Sequence, residues 1–262
     1  MYHTIARFPA PAARRLSVSP EAFAAQMELL AERRHTPLTV SELARAWRGG
    51  GPLPRRPVLV TFDDGYAGVH RHALPVLTRL GFSATLFAAT GWLRGPQHCG
   101  GAPDAMLDWA QLRELADTGV EIGGHSHSHP QLDQLGDAAL RREVGHCRAL
   151  LADALGRAPR SFAYPFGYSS RRVRDAVRTA GFTQSLAVRN ALADARRQGP
   201  YSLARLTIRR TTTPAEFARL VDGVGVARSF AGDRALTTGY GVWRRARAAA
   251  GVAAGRVQRF RV

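Results

Sequence analysis

Short apolar runs alternate with amphipathic stretches along most of this chain. The runs are rich in β-formers and several follow a turn glycine, which is typical of strands, whereas the longer stretches repeat apolar positions at helical spacing. Strands that alternate with helices of this length predict a parallel sheet with right-handed crossovers. The predicted strands cover 58–62, 84–89, 120–124, 161–164, 183–188 and 204–208, and the predicted helices cover 20–33, 66–80, 109–118, 137–155, 170–180 and 214–222.

The start of the chain adds one more strand and a well-signalled helix. Residues 1–5, "MYHTI", are predicted to form a short strand, and Ser19 followed by Pro20 provides an N-cap and a first-turn proline. Residues 48–57 are predicted to be a loop that leads into the strongest strand. The pattern favours a closed or nearly closed barrel, and an open doubly wound sheet fits it almost as well. We predict one main domain over residues 1–225.

Composition agrees with a single main core, and charge adds little about function. The chain has 262 residues, of which 45% are hydrophobic, and a formal charge of +17. All 37 basic residues are arginine, which is typical of GC-rich coding as well as of phosphate binding. Eight of these arginines lie in residues 226–262, which we interpret as an Arg-rich C-terminal extension. It is either a solvated basic tail or a helix that binds a partner or an anionic membrane surface.

Cysteine usage and hydropathy suggest a soluble chain. Cys99 and Cys147 belong to no C-x-x-C pair, so free thiols are expected rather than a disulfide framework or a zinc cluster. No stretch reaches the roughly 20 apolar residues of a membrane span, and the first residues lack a secretion-signal pattern. On these grounds we expect a cytoplasmic protein.

Two groups of polar residues follow two of the predicted strands. Asp63 and Asp64 in "TFDDG" end one strand, and "HSHSHP" supplies His125, His127 and His129 after another. The carboxyl ends of parallel strands meet at one edge, where α/β proteins carry their active sites. His125 and His129 are four residues apart, so one helical turn could direct both rings at one point. With one carboxylate they would form a two-histidine metal site. His127 is expected to point away from this site, and it stays open as an alternative ligand.

These motifs resemble those of the polysaccharide deacetylases, carbohydrate esterase family 4, whose pattern H-[ST]-x-x-H-P the histidine segment fits. The resemblance runs from Tyr2 to about Phe217. It implies an α/β fold of the distorted, incomplete (β/α)7 barrel type and a metal-dependent N-deacetylase that releases acetate from an N-acetylated amino sugar or glycan. Asp64, His125 and His129 would hold the metal, and Asp63 would be the general base. Zn²⁺ is the expected metal, because imidazole ligands argue against Mg²⁺.

The segment "FAYPFGYSS" looks like the family's groove wall, with one departure. The resemblance implies that Tyr164, Pro165 and Phe166 line the substrate cleft and that the amide of Phe166 serves as oxyanion donor. Ala163 stands where the family has an arginine that orients the base. Arg205 is our candidate replacement, and the equal alternative is that Arg205 only faces solvent or pairs with an acid.

The family's late L-x-H motif, which supplies the general acid, is missing, since no histidine follows Ile208. The Tyr-His at the start of "MYHTI" resembles the subgroup that deacetylates poly-N-acetylglucosamine, and it implies that His3 protonates the leaving amine. A buried structural histidine is the alternative. A small-molecule or lipid-linked biosynthetic intermediate stays open as the substrate. A catalytically inactive glycan-binding module stays open as the function, whereas nucleic-acid binding is suggested by charge alone.

Overall fold

The computed structural model describes residues 1–49 and 51–233, and seven strands within them are all parallel to their neighbours. Five of the strands form one sheet in chain order, from the third to the seventh, and the first two form a separate pair. The strands are β1 (Thr36–Leu38), β2 (Pro57–Leu59), β3 (Thr61–Asp64), β4 (Thr85–Ala88), β5 (Glu121–Gly124), β6 (Ser161–Ala163) and β7 (Gln184–Leu186).

Helices connect these strands, and side-chain caps define where several of them begin. Ser19 accepts the Ala22 amide at the start of the first helix, and Asp108 forms a reciprocal capping box with Gln111 at the start of the fourth. The helices are α1 (Pro20–Glu32), α2 (Val40–Trp47), α3 (Leu74–Leu80), α4 (Trp109–Asp117), α5 (Asp137–Leu155), α6 (Arg171–Thr179), α7 (Ala195–Gln198), α8 (Pro214–Val221) and α9 (Val226–Ser229).

Irregular segments continue the hydrogen bonding beyond both edges of the five-stranded sheet. On one side, Tyr2 forms a parallel bridge with Phe62 of β3. On the other side, Leu203 forms a parallel bridge with Leu186 of β7, and the Ile208 amide then donates to the Met1 carbonyl at 2.9 Å. The predicted α/β fold is confirmed as a distorted and incomplete barrel, in which residues 1–5 and 203–208 stand where regular strands are missing.

Two predicted strands are therefore wrong as regular elements. Residues 204–208 form no strand, because the Thr207 amide bonds to the Asn190 side chain at 3.1 Å instead of to a neighbouring backbone. Residues 1–5 make only single-residue bridges, at Tyr2 and Ile5. The short β1 and the helix α2 were not predicted, although Thr39 and Glu42 form a capping box there.

The main core packs between the sheet and helices α1, α3, α4 and α8. Tyr2, Phe23 and Phe62 form an aromatic cluster with ring centroids 5.2–5.7 Å apart, which fixes the first residues of the chain against β3. Phe230, in the predicted extension, is buried in the same core. The rest of that extension, residues 234–262, lies outside the described residues, and the domain boundary at 225 stays a prediction. Within the described residues, no helix is both long and apolar enough to cross a bilayer.

Candidate active site

Asp63 and Asp64 lie at the carboxyl end of β3, buried and facing one cavity of about 740 Å³. In an extended strand, consecutive side chains point to opposite faces. Asp64 leaves that conformation with a φ of +77°, so both carboxylates reach the same cavity. Aspartate is among the few residues that tolerate this left-handed region. The two acids therefore depend on neighbouring positive groups, since burial penalises both charges.

His125 and His129 follow β5 at the same end of the sheet, in a tight loop rather than the helical turn that their spacing suggests. The backbone is left-handed at Ser126 and at His129, with φ of +66° and +58°. The Ser126 hydroxyl accepts the His129 amide at 3.1 Å and closes the loop. Strained backbone of this kind clusters at functional sites.

The two imidazoles converge on Asp64. The Nε2 atom of His125 lies 3.2 Å from Asp64 Oδ1, and that of His129 lies 3.3 Å from the same oxygen. The Nδ1 atom of His125 is 2.8 Å from the Ala163 carbonyl oxygen, which can only accept, so Nδ1 carries the proton and Nε2 offers its lone pair. Such an outer hydrogen bond is typical of a metal-binding histidine.

These three residues fit a divalent cation. Their ligand atoms all lie within 4.8 Å of one another, and within the described chain Asp64 Oδ1 is a buried acceptor without a hydrogen-bond donor. Burial would raise the pKa of Asp64, but the adjacent imidazoles hold it well below its ordinary value. Burial would lower the pKa of His125, but Asp64 and Asp63 raise it. The space between the three side chains thus favours positive charge, and an acid with two imidazoles is a donor set typical of zinc.

Asp63 is held by Arg205, which the structure brings from the far end of the chain. The guanidinium donates to both carboxylate oxygens, from Nη1 to Oδ1 at 2.6 Å and from Nη2 to Oδ2 at 2.7 Å, and it also lies 3.3 Å from the Thr61 hydroxyl. Both side chains are buried. Burial would raise the pKa of Asp63, yet the Arg205 charge keeps it below the ordinary value. Asp63 is therefore an oriented, ionised carboxylate that faces the cavity beside the triad.

His3 reaches the same cavity from the N-terminal segment. Its Nδ1 atom is buried and has no hydrogen-bond partner among the described residues. Burial lowers the pKa of His3, while Asp64 and Asp63 oppose that change. A buried ring nitrogen without a partner is unusual for a purely structural histidine, and the role of His3 in proton transfer stays a prediction.

The predicted groove wall is divided between the core and the cavity. Tyr164 lines the cavity although it is fully buried, and its hydroxyl bonds to Ser185 and donates to the Tyr201 carbonyl. Pro165 is also buried. Phe166 is 51% exposed, and its ring lies 4.8 Å from that of His129. Of the three predicted residues, Phe166 is the one whose side chain is exposed at the cavity.

His127 points away from the triad, since its Nδ1 atom lies 3.0 Å from the Thr90 hydroxyl and its ring contacts His146. Sequence reasoning missed Trp92, whose ring lies 4.4 Å from His129 and lines the cavity. It also missed Tyr66, whose pKa is raised by burial and by Asp64. Both follow the carboxyl end of a strand, and that position could have singled them out.

Comparisons with known proteins agree with this geometry. The family described as "Polysaccharide deacetylase" matches residues 50–185. The chain is 25% identical over 224 residues to YxkH of Bacillus subtilis (strain 168), covering 86% of this chain and 75% of that protein. It is 32% identical over 125 residues to the poly-beta-1,6-N-acetyl-D-glucosamine N-deacetylase of Escherichia coli (strain K12), covering 44% of this chain and 18% of that protein.

A solved structure, IcaB from Ammonifex degensii, superposes with a TM-score of 0.71 at 26% identity and covers 84% of this chain and 93% of that one. The barrel described above is therefore an architecture that the two proteins share. The Escherichia coli protein is far longer than the matched segment, and this chain corresponds to less than a fifth of it.

Proposed function

Because this chain belongs to the polysaccharide deacetylase family, we propose that it hydrolyses the acetamide of an N-acetylated amino sugar and releases acetate. The observation that carries the proposal is the convergence of Asp64, His125 and His129 beside an Asp63 that Arg205 holds in place. One group of residues is built to hold a cation, and its neighbour is built to stay ionised. Metal-assisted amide hydrolysis needs both.

Asp64, His125 and His129 would hold the metal, for which we propose Zn²⁺. When bound, Zn²⁺ supplies Lewis acidity, polarising a carbonyl and making a water molecule a better nucleophile at neutral pH. The Ala163 carbonyl keeps the His125 Nε2 lone pair directed at that position through the Nδ1 proton. The relatives' names and the shared fold do not identify the metal, so the preference for zinc comes from the imidazole ligands.

Asp63 would accept the proton of the attacking water. Its depressed pKa keeps it ionised, and its two bonds to Arg205 fix the carboxylate so that it does not swing toward the metal ligands. A positioned base of this kind contributes roughly 10²–10⁴-fold to a rate. Arg205 acts through Asp63 and is a positioning residue.

His3 would protonate the leaving amine, and the amide of Phe166 would donate to the developing oxyanion. His3 lines the cavity together with both carboxylates, and burial lowers its pKa, which makes its protonated form a stronger acid. Phe166 is held in a left-handed turn with φ of +58°, a conformation that places the turn over the cavity. The rings of Phe166 and Trp92, on either side of His129, offer apolar faces for a pyranose ring.

We propose a glycan as the substrate class, since the Escherichia coli relative is named for poly-beta-1,6-N-acetyl-D-glucosamine. The cavity has a volume of about 740 Å³, which is large enough for sugar units of a glycan chain. A panel of N-acetylglucosamine oligomers of increasing length, compared with single acetamido sugars, would measure whether acetate release rises with chain length. Turnover confined to single sugars would contradict the polymer and favour a small biosynthetic intermediate.

The deciding experiment compares Asp63→Asn with the native protein after both are loaded with Zn²⁺. We expect the variant to keep about one zinc per chain and to lose acetate release by roughly 10²-fold or more, because the base alone is removed. Asp175→Asn, on the exposed face of α6, is the matched control and should leave both measurements unchanged. Full zinc occupancy without acetate release by the native protein would favour a glycan-binding module instead.

A further inference from the structure

A second cavity, of about 440 Å³, lies on the outer side of β2 and β3. The β1–β2 pair and α2 form one wall, and α1 and α8 form the other. Its lining is mainly apolar and includes Leu30, Leu38, Leu43, Trp47, Phe217 and Leu220. Protein interiors contain few voids larger than a water molecule, and apolar cavities stay dry and take up apolar ligands. A cavity of this size falls in the range of ligand-binding pockets.

The charged side chains in the lining are already committed to partners in the protein. Arg205 is bonded to Asp63, and Asp222 accepts from Arg56 at 2.7 Å and from Arg33. His35 lies 3.2 Å from the Arg56 carbonyl through Nδ1. The interior of the cavity thus offers little to recognise a sugar or a nucleotide, and it suits a hydrocarbon chain.

Exposed apolar side chains surround the mouth of this cavity. Leu53 and Leu192 line it and are 38% and 52% exposed, and Val224, next to the lining residue Gly223, is 56% exposed. Clustered apolar exposure rimmed by polar residues marks interaction with a membrane or another protein. The rim therefore continues the apolar surface of the interior outward.

The same wall is strongly basic. Residues 33–57 contain six arginines and a single acidic residue, Glu42. Arg55 and Arg56 are exposed next to β2, and Arg33 and Arg56 share the single carboxylate of Asp222, which leaves net positive charge at the rim. Arginines at this density attract the anionic headgroups of a bilayer.

We propose that this cavity takes up one acyl chain of an anionic phospholipid while the arginines of residues 33–57 contact the headgroups. The protein then docks on a bilayer through the β1–β2 wall. The cavity shares Arg205 with the proposed deacetylase site as a wall residue, but the uptake of an acyl chain does not depend on the deacetylase chemistry. The apolar interior of the cavity selects the acyl chain of the lipid, and the positive charge at the rim selects the anionic headgroup.

The test uses the full chain and vesicles of phosphatidylglycerol with phosphatidylcholine, whose acyl chains carry bromine. Trp47 lines the cavity, so we expect bromine to quench its fluorescence, and Trp47→Phe to remove most of the quenching while vesicle binding persists. Ala204→Phe, which fills the cavity from its buried side, should also abolish quenching. If Ala204→Phe does not fold, the comparison of the native protein with Trp47→Phe decides alone.

Charge is tested separately by flotation. Arg55→Glu with Arg56→Glu should weaken binding to the anionic vesicles by about tenfold, because two charges at the rim are reversed. Arg141→Glu with Arg142→Glu, on the exposed face of α5, is the matched control and should have a smaller effect. Three results would overturn the proposal: no quenching in the native protein, quenching undiminished in Trp47→Phe, or quenching by brominated free fatty acid in a protein that does not float with vesicles.

Discussion

At the scale of single residues, the site is a pair of adjacent acids with opposite environments. Asp64 faces two imidazoles, whereas Asp63 faces a guanidinium. Burial alone would raise the pKa of both, and in each case a specific neighbour prevents this. The pairing divides their proposed roles, because an acid already bonded to Arg205 is a poor metal ligand and stays ionised beside the candidate cation site.

Arg205→Met should shift the acidic limb of the kcat/KM profile to higher pH. Without the guanidinium, burial dominates and raises the pKa of Asp63, so the base stays protonated until a higher pH is reached. Arg205→Lys should restore part of the shift, and Arg174→Met, on α6, should show none. An Arg205→Met profile with an unmoved acidic limb would contradict the positioning role.

The same substitution should destabilise the fold at neutral pH by roughly 3–5 kcal/mol, since it leaves a buried carboxylate unpaired. In the folded protein the pKa of Asp63 lies below its ordinary value of 3.8. The ion pair with Arg205 therefore stabilises the native state fully when the pH is above 3.8. This stabilisation is lost as the pH falls through the lower pKa of the folded state. Urea unfolding at pH 7 and at pH 3 would measure it. The difference between native protein and variant should shrink at the lower pH.

At the scale of elements, a close backbone contact holds the N-terminal segment in position at the candidate site. The N-terminal segment crosses the start of the helical turn Val69–Ala73 so closely that a Cβ on Gly68 would lie 2.1 Å from the Ile5 carbonyl oxygen. Only glycine permits this approach. The contact holds the segment that carries His3 at the open side of the barrel.

Gly68→Ala should therefore lower acetate release while the protein retains zinc, because the clash displaces residues 1–5 and leaves β3 and β5 in place. Metal content and kcat, measured on one preparation, separate the two effects. Gly145→Ala, in α5, is the control, since a Cβ there meets nothing within 4 Å. Loss of zinc together with activity would mean that β3 moves instead.

The pattern of the sequence predicts regular elements better than irregular ones. Strands β3 to β7 and helices α1, α4, α5 and α6 follow from the sequence because their apolar side chains repeat at strand or helix spacing. Residues 204–208 look like a strand because of their β-forming residues, but the Thr207 amide bonds to the Asn190 side chain. Tyr164 lines the cavity as its motif suggests, but its hydroxyl bonds to Ser185, 21 residues away in the sequence. Such distant partners leave no local signal.

The same limit applies within the site. The convergence of Asp64, His125 and His129 could be predicted because they follow strand ends, where parallel strands bring residues together. The left-handed backbone at Asp64 and His129 could not be predicted from the sequence, since neither residue is glycine. Arg205 could be named as the partner of Asp63 only because Ala163 left that role vacant.

At the scale of the whole molecule, residues 1–5 and 203–208 complete the barrel without regular strands, and the candidate metal site shares a cavity with His3 and Thr207 of these segments. A cation that binds only the folded state stabilises it by mass action. The cation would tie β3 to β5 across the intervening β4, since Asp64 follows one strand and the two histidines follow the other.

Zinc at 100 times its dissociation constant should therefore stabilise the native protein by about 2.7 kcal/mol and raise Tm by several degrees. Asp64→Asn should lose most of that response. Asp63→Asn, which spares the ligands, should keep it. Calorimetry with and without zinc checks this, and an equal response in the native protein and Asp64→Asn would place the metal elsewhere.

Because Asp63 and Asp64 are consecutive residues, one peptide unit sets the spacing between the backbone positions of the proposed proton acceptor and the proposed metal ligand, and no hinge or loop movement can alter it. Evolution or engineering that seeks a different acyl group must accept this fixed dyad and vary the segments around it, such as the turn that carries Phe166.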